Sequence, residues 1–123
     1  MKLRDLDAIL LRHEFLSDTV RRKWPDGETV ESVEPVSHYV PVASLADAQG
    51  IDFECPICRD HHVMLGFEGR NCPPGTFSQD RGGRDSRWTI SGASIDDLTL
   101  SPSVDCTNGG CTWHGWIKNG NAD

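Results

Sequence analysis

Leu3, Leu6, Ile9, Leu10, His13 and Leu16 recur at three- and four-residue steps, and Arg4, Asp5, Arg12 and Glu14 fall between them. That spacing puts the apolar positions on one side of a helix and predicts a helix over residues 3–16. Ser17 or Asp18 interrupts it. Trp24-Pro25-Asp26-Gly27 closes an N-terminal helical segment spanning 1–24, because Pro fixes φ and Gly admits positive φ. Residues 25–37 are polar and acidic with little periodicity, which predicts an irregular connection. His38 to Val42 has strand composition, and Pro41 places it at an edge or a strand end. Ser44 caps one helical turn through Ala48, stopped by Gly50. Ile51 to Glu54 and His62 to Phe67 are short strands, the second with Val63, Leu65 and Phe67 alternating against His62, Met64 and Gly66. Together they form a hairpin whose turn holds Cys55-Pro56-Ile57-Cys58. Arg87 to Ser91, Leu98 to Leu100 and Thr112 to Lys118 are three further strands. Residues 69–86 are rich in Gly, Pro and Arg, and predict a long mobile loop. The expected fold is α+β: an N-terminal helix followed by a small antiparallel sheet, in a single domain over 1–123 with its β core at 36–120.

Charge narrows the partners. The 123 residues carry 19 acidic and 12 basic side chains, a formal net charge of −7. Residues 1–23 hold six bases and four acids, whereas 24–50 hold five acids and no base. This balance argues against a general nucleic-acid binder. The acidic stretch reads as a solvated surface, or as a face for a basic partner. No run approaches 18 apolar residues, so no membrane span is expected. The apolar stretch near the N-terminus contains acids and arginines and does not read as a signal peptide. A cytoplasmic location is expected.

Five cysteines stand at 55, 58, 72, 106 and 111. An odd number without an export signal predicts reduced thiols, which in such clusters hold metal or do redox work. Cys55-Pro-Ile-Cys58 is a knuckle whose two-residue spacing lets both thiolates reach one ion. Cys111-Thr-Trp-His114 repeats the spacing. Two such pairs supply four ligands for a closed tetrahedral site of the zinc-ribbon kind, with zinc favoured and iron the alternative. Competing readings are a redox CxxC, which lacks a surrounding βαβ pattern, and buried structural cysteines. Cys106 replaces Cys111 or His114 if the following Gly109-Gly110 turn folds back. His61 or His62 serves as an alternative ligand or a second hydrogen-bonded layer. Cys72 reads as a free thiol.

In a terminal strand, Trp113, Gly115 and Ile117 share one face and His114 and Trp116 the other, with the tryptophans packing a core that Trp88 joins. Nucleotide-loop, HExxH, GxSxG and dinucleotide fingerprints are absent. Asp96-Asp97 reads as a turn before a strand, and Arg70, Arg81, Arg84 and Arg87 as solvated loop side chains or an anion grip.

Arg87-Trp88-Thr89-Ile90-Ser91-Gly92, Asp96-Asp97-Leu98-Thr99-Leu100-Ser101-Pro102-Ser103 and Cys111-Thr112-Trp113-His114-Gly115-Trp116 resemble a small family of phage and prophage proteins that combine CPxC, DDLTLSPS and CxWHG motifs. Some of its members carry the label ammonia monooxygenase, although no membrane segment or copper site accompanies that label here. The resemblance covers about residues 36–120. It implies a compact zinc-binding protein whose ligands, by position, are Cys55, Cys58, Cys111 and His114. The expected function is a phage-encoded zinc-stabilised interaction module that binds a host or phage protein. The alternatives are a zinc hydrolase, with His61 or His62 at an open metal position and Asp60 or Asp97 as base, and a nucleic-acid-binding zinc ribbon.

Overall fold

The computed structural model describes residues 1–107 and 111–123, and it is built from strands. The described residues form ten strands: β1 Ile9–Lys23, β2 Thr29–Pro41, β3 Gly50–Glu54, β4 His62–Phe67, β5 Arg87–Ser91, β6 Thr99–Ser101, β7 Val104–Asp105, β8 His114–Gly115, β9 Ile117–Lys118 and β10 Asn121–Ala122. Strands β2-β1-β3-β4-β5-β6 make one six-stranded sheet, and β7-β8 and β9-β10 make two small ones.

The N-terminal helix is overturned. Leu3–Leu6 forms a single 3-10 turn, and the i, i+3 spacing of its two leucines suffices to bury both. Asp7 then takes φ 51 and turns the chain into β1. The three- and four-residue steps beyond Ile9 arise from a strand that buries Leu10, Leu11 and His13 near the sheet and exposes Phe15 and Leu16 beyond it. Residues 29–37, expected to be an irregular connection, form most of the partner strand β2, whose end falls in the strand expected over His38 to Val42 with Pro41 at its terminus; β2 pairs with β1 from Leu11↔Pro41 to Lys23↔Thr29. Both faces of this ribbon meet solvent over most of its length, so no alternation marks it in the sequence. The Trp24-to-Gly27 turn is real, but it closes a hairpin: Trp24 N–H donates to the Glu28 carbonyl at 2.8 Å, and Gly27 sits at φ 91.

The β3–β4 hairpin stands where the alternation placed it, in register from Gly50↔Gly66 to Glu54↔His62. The sheet is not wholly antiparallel. β4 and β5 run parallel through Gly66↔Arg87 and Phe67↔Trp88. A parallel pair needs a crossover, and the long segment 69–86 supplies it. That crossover is tied down by Arg70, whose Nη1 donates to the carbonyls of Leu45, Ala46 and Ala48, and by Phe77, whose N–H donates to the Tyr39 hydroxyl. Arg70 and Arg87 spend their donors on backbone carbonyls and are not solvated loop charges.

The core gathers Leu3, Leu6, Ile51, Phe53, Phe67, Leu98, Leu100, Val104, Trp113 and Ile117. Phe53 and Trp113 meet edge to face with centroids 5.9 Å apart. At the C-terminal end the expected alternation holds: Trp113, Gly115 and Ile117 are buried, and His114 and Trp116 are exposed. Among the described residues, no helix is long and apolar enough to cross a membrane.

Candidate functional site

The β3–β4 hairpin makes the first knuckle. Cys55 N–H donates to the His61 carbonyl at 2.9 Å, Arg59 N–H donates to the Cys55 carbonyl at 3.0 Å, and Arg59 takes φ 60 to complete the turn. The turn directs Cys58 Sγ to within 2.9 Å of His61 Nδ1. From the far end of the chain, Cys111 Sγ comes within 3.3 Å of the buried Cys55 Sγ. One ligand atom from each of Cys55, Cys58, His61 and Cys111 lies within 4.8 Å of the others. Three thiols and an imidazole at that separation could hold a metal ion. Backbone N–H groups of Asp60 and His61 hold the Cys58 thiol below its ordinary value, and that of Trp113 does the same for Cys111. Burial pushes Cys55 up.

Three of the four expected ligands therefore come together, and the fourth member of the cluster is His61, which follows Cys58 at the same two-residue spacing that joins Cys55 to Cys58. His114 is not in this group. Its neighbours Trp113 and Gly115 turn inward to the core, so strand alternation sends its ring to the opposite face. Cys106 lies beside the cluster but outside it, and burial with the neighbouring cysteines pushes its thiol up to about 11. The Gly109-Gly110 turn lies outside the described residues. Cys72 is tucked against the crossover, donating to the Gln49 carbonyl at 3.2 Å. His62 pairs with Asp52 at 2.5 Å rather than facing the thiols.

On the exposed face of β7 and β8 a different arrangement forms. Ser103 Oγ lies 3.1 Å from His114 Nε2. Asp105 is paired directly across from His114 in the β7–β8 ladder, so both side chains share one face. Thr107 donates to Asp105 Oδ1 through its N–H at 2.9 Å and its hydroxyl at 2.6 Å. These bonds first, and then the charges of His114 and Arg81, hold the Asp105 carboxyl below its ordinary range. Asp105 also borders a cleft of about 340 Å³ whose lining includes His61, Gln79 and Cys106 but neither Ser103 nor His114. Ser103 carries no recognisable short catalytic motif in the sequence. Its signal was its place at the end of the DDLTLSPS segment. Asp96-Asp97 is the turn it was expected to be: Asp97 takes part in the cap of the short turn that begins after Ser94, and Asp96 pairs with Arg4.

A second serine–histidine contact joins His13 Nε2 to Ser37 Oγ at the root of the ribbon. There the histidine is buried against Phe15 and Tyr39.

Compared with known protein families, residues 26–123 match the family described as bacterial ubiquitination-like system serine protease (BubE). No curated protein and no solved structure matches the chain.

Proposed function

This chain belongs to the bacterial ubiquitination-like system serine protease (BubE) family, and from that premise we propose that it cleaves an acyl bond in a protein of such a system, with Ser103 as nucleophile and His114 as its base. The observation that carries this is the 3.1 Å contact of Ser103 Oγ with His114 Nε2, between two residues that both fall inside the matched segment. The His13–Ser37 pair does not qualify, because His13 lies before residue 26 and is buried. A serine and histidine eleven positions apart leave no recognisable short motif. That is why the sequence alone suggested a non-catalytic module.

In the proposed reaction Ser103 Oγ bonds to the substrate's carbonyl carbon, and the hydroxyl proton passes to His114 Nε2. The tetrahedral species collapses, the bond to the leaving group breaks, and the departing atom takes the proton from His114. Water, deprotonated by His114, then releases the acyl group and restores Ser103. Asp105 stands across the ladder from His114 as an ionised carboxylate that favours the imidazolium formed in both steps.

In this reading Cys55, Cys58, His61 and Cys111 hold a zinc ion that stabilises the fold and leaves no position open for substrate. Thiol ligands require a reducing compartment, which favours the cytoplasm. The phage or prophage origin suggested by the motifs is retained as a proposal that the neighbouring genes would test. The protein partners belong to the ubiquitination-like system, and the net charge of −7 argues against nucleic acid.

A fluorophosphonate probe tests the nucleophile. Mass spectrometry is expected to find the adduct on Ser103, with labelling abolished by Ser103→Ala, strongly slowed by His114→Ala and unaffected by Ser37→Ala. An adduct elsewhere, or none on folded protein, would remove the assignment.

A further inference from the structure

The β1–β2 ribbon has one blocked edge and one open edge. β3 pairs with β1 only at Ile9, Leu10 and Leu11. Beyond Leu11, among the described residues, no strand covers that side of β1. The direction of its backbone groups is fixed by neighbouring bonds. The Leu11 carbonyl accepts from Gln49 N–H at 2.8 Å, and His13 N–H donates to Gln49 Oε1 at 2.8 Å, both on the β3 side. The odd-numbered residues Phe15, Ser17, Thr19, Arg21 and Lys23 therefore direct their N–H and C=O groups outward. Among the described residues Thr19 N–H donates to the adjacent Asp18 carboxylate, at 2.8 Å. On β2 the corresponding outward positions include Pro35 and Pro41, opposite Ser17 and Leu11. Proline at an outward position removes a donor and discourages strand addition. β1 has no proline and no such protection.

Side chains on the face shared by the even-numbered residues match themselves under a two-fold rotation. Asp18 is directly opposite Glu34, an unfavourable like-charge pair. Arg22 forks onto Glu34 at 2.9 and 2.7 Å, and among the described residues no cation pairs with Asp18. Leu16 is 43% exposed and Trp24 53%. If a second β1 runs antiparallel along the open edge with Val20 on the axis, Asp18 faces Arg22 of the second copy. Leu16 then faces Trp24 of that copy, and each contact occurs twice. The odd-numbered residues of both copies meet at hydrogen-bonding positions in this register.

We propose that the open edge of β1 pairs with the same edge of a second copy of this chain about a two-fold axis through Val20, joining the two ribbons into one continuous sheet. The interface is isologous. It lies on the ribbon, away from Ser103 and from the thiol cluster, and does not depend on the protease reading.

Sedimentation equilibrium of the full chain tests it. The wild type is expected at twice the chain mass, dissociating on dilution. Thr19→Pro removes one outward donor, as Pro35 does on β2, and is expected to be monomeric with an unchanged circular dichroism spectrum. Asp18→Arg and Arg22→Asp each set like charges opposite one another in a homodimer. Each is expected to raise the dimer dissociation constant about tenfold or more. Mixing the two single variants restores opposite charges at both contacts and is expected to restore the dimer. A monomeric wild type, even one whose edge is taken by a strand of another protein, overturns the proposal. So does a dimer that survives Thr19→Pro, or a mixture that associates no better than either variant alone.

Discussion

In the proposed mechanism the two histidines near the ends of the cysteine motifs have separable roles, and exchanging the substitutions tests both. His61 Nδ1 lies 2.9 Å from Cys58 Sγ within the four-residue cluster, and His114 Nε2 lies 3.1 Å from Ser103 Oγ outside it. Structural zinc in small domains contributes about 10–16 kcal/mol at neutral pH. Shared over four donors, one ligand carries about 2.5–4 kcal/mol, which is about 10²–10³-fold in the dissociation constant. His61→Ala is expected to weaken zinc by that factor, read by competition with a chromophoric chelator. His114→Ala is expected to leave the metal constant within a few-fold and to slow Ser103 labelling by about 10²–10⁴-fold, the usual reach of a general base. Cys58→Ser serves as the positive control for metal loss, and Cys72→Ser is expected to change neither reading. The reasoning is refuted if His114→Ala releases zinc as Cys58→Ser does while His61→Ala binds like the wild type. The ligands would then be Cys55, Cys58, Cys111 and His114, and the serine would have no base.

Three further outcomes follow from the geometry. Phe53→Ala removes a fully buried ring that packs edge to face on Trp113, and is expected to cost about 3–5 kcal/mol in urea melts of the metal-loaded protein. A loss under 1 kcal/mol would mean that the ring does not anchor the core. Gly115→Ala would set a Cβ 2.0 Å from the Asp123 carbonyl oxygen. It is expected to cost about 1–3 kcal/mol and to slow Ser103 labelling by displacing β8; unchanged labelling would show that the pair tolerates that shift. Asp96 is held below the ordinary aspartate range by its bond to Arg4. A lowered folded value means that this contribution is present above the ordinary carboxylate pKa and is lost as pH falls through the folded value. Arg4→Ala should return Asp96 to the ordinary range in a carbon-detected NMR titration, and an unmoved titration would assign the depression to another cause.

The sequence was legible where burial imposed a period. The β3–β4 hairpin and the Trp113-to-Ile117 alternation could be read because one side of each meets the core. The same alternation, followed one step further, separates His114 from the cysteine cluster: a residue between two buried neighbours faces outward. The ribbon was not legible. Most of its residues meet solvent on both faces, so composition there reports no burial, and the 3-10 turn at Leu3–Leu6 adds a helical spacing at its start. The cysteine spacing identified three members of the cluster, but spacing alone does not choose between histidines at Cys58 plus three and Cys111 plus three. The Ser103–His114 contact depends on how β7 meets β8, which no local pattern encodes.

The cluster and the serine–histidine pair are mechanically joined. Among the described residues β7 and β8 share two residue pairs, Val104↔Gly115 and Asp105↔His114. A ladder that short has no independent stability in water. What fixes it is the burial of Val104 and Trp113, the bond from Cys106 N–H to the Trp113 carbonyl at 2.9 Å, and the attachment of Cys111 to the thiol cluster. Cys111 precedes His114 by three residues, so an ion holding Cys111 to Cys55 and Cys58 also sets where β8 begins and how the imidazole meets Ser103. An ion held there would close a loop of more than fifty residues between Cys58 and Cys111, an ordering cost that a two-pair ladder cannot meet alone. An ion bound by the cluster would thus act on the proposed nucleophile and base without touching substrate, because the same short segment carries Cys111 at one end and His114 at the other.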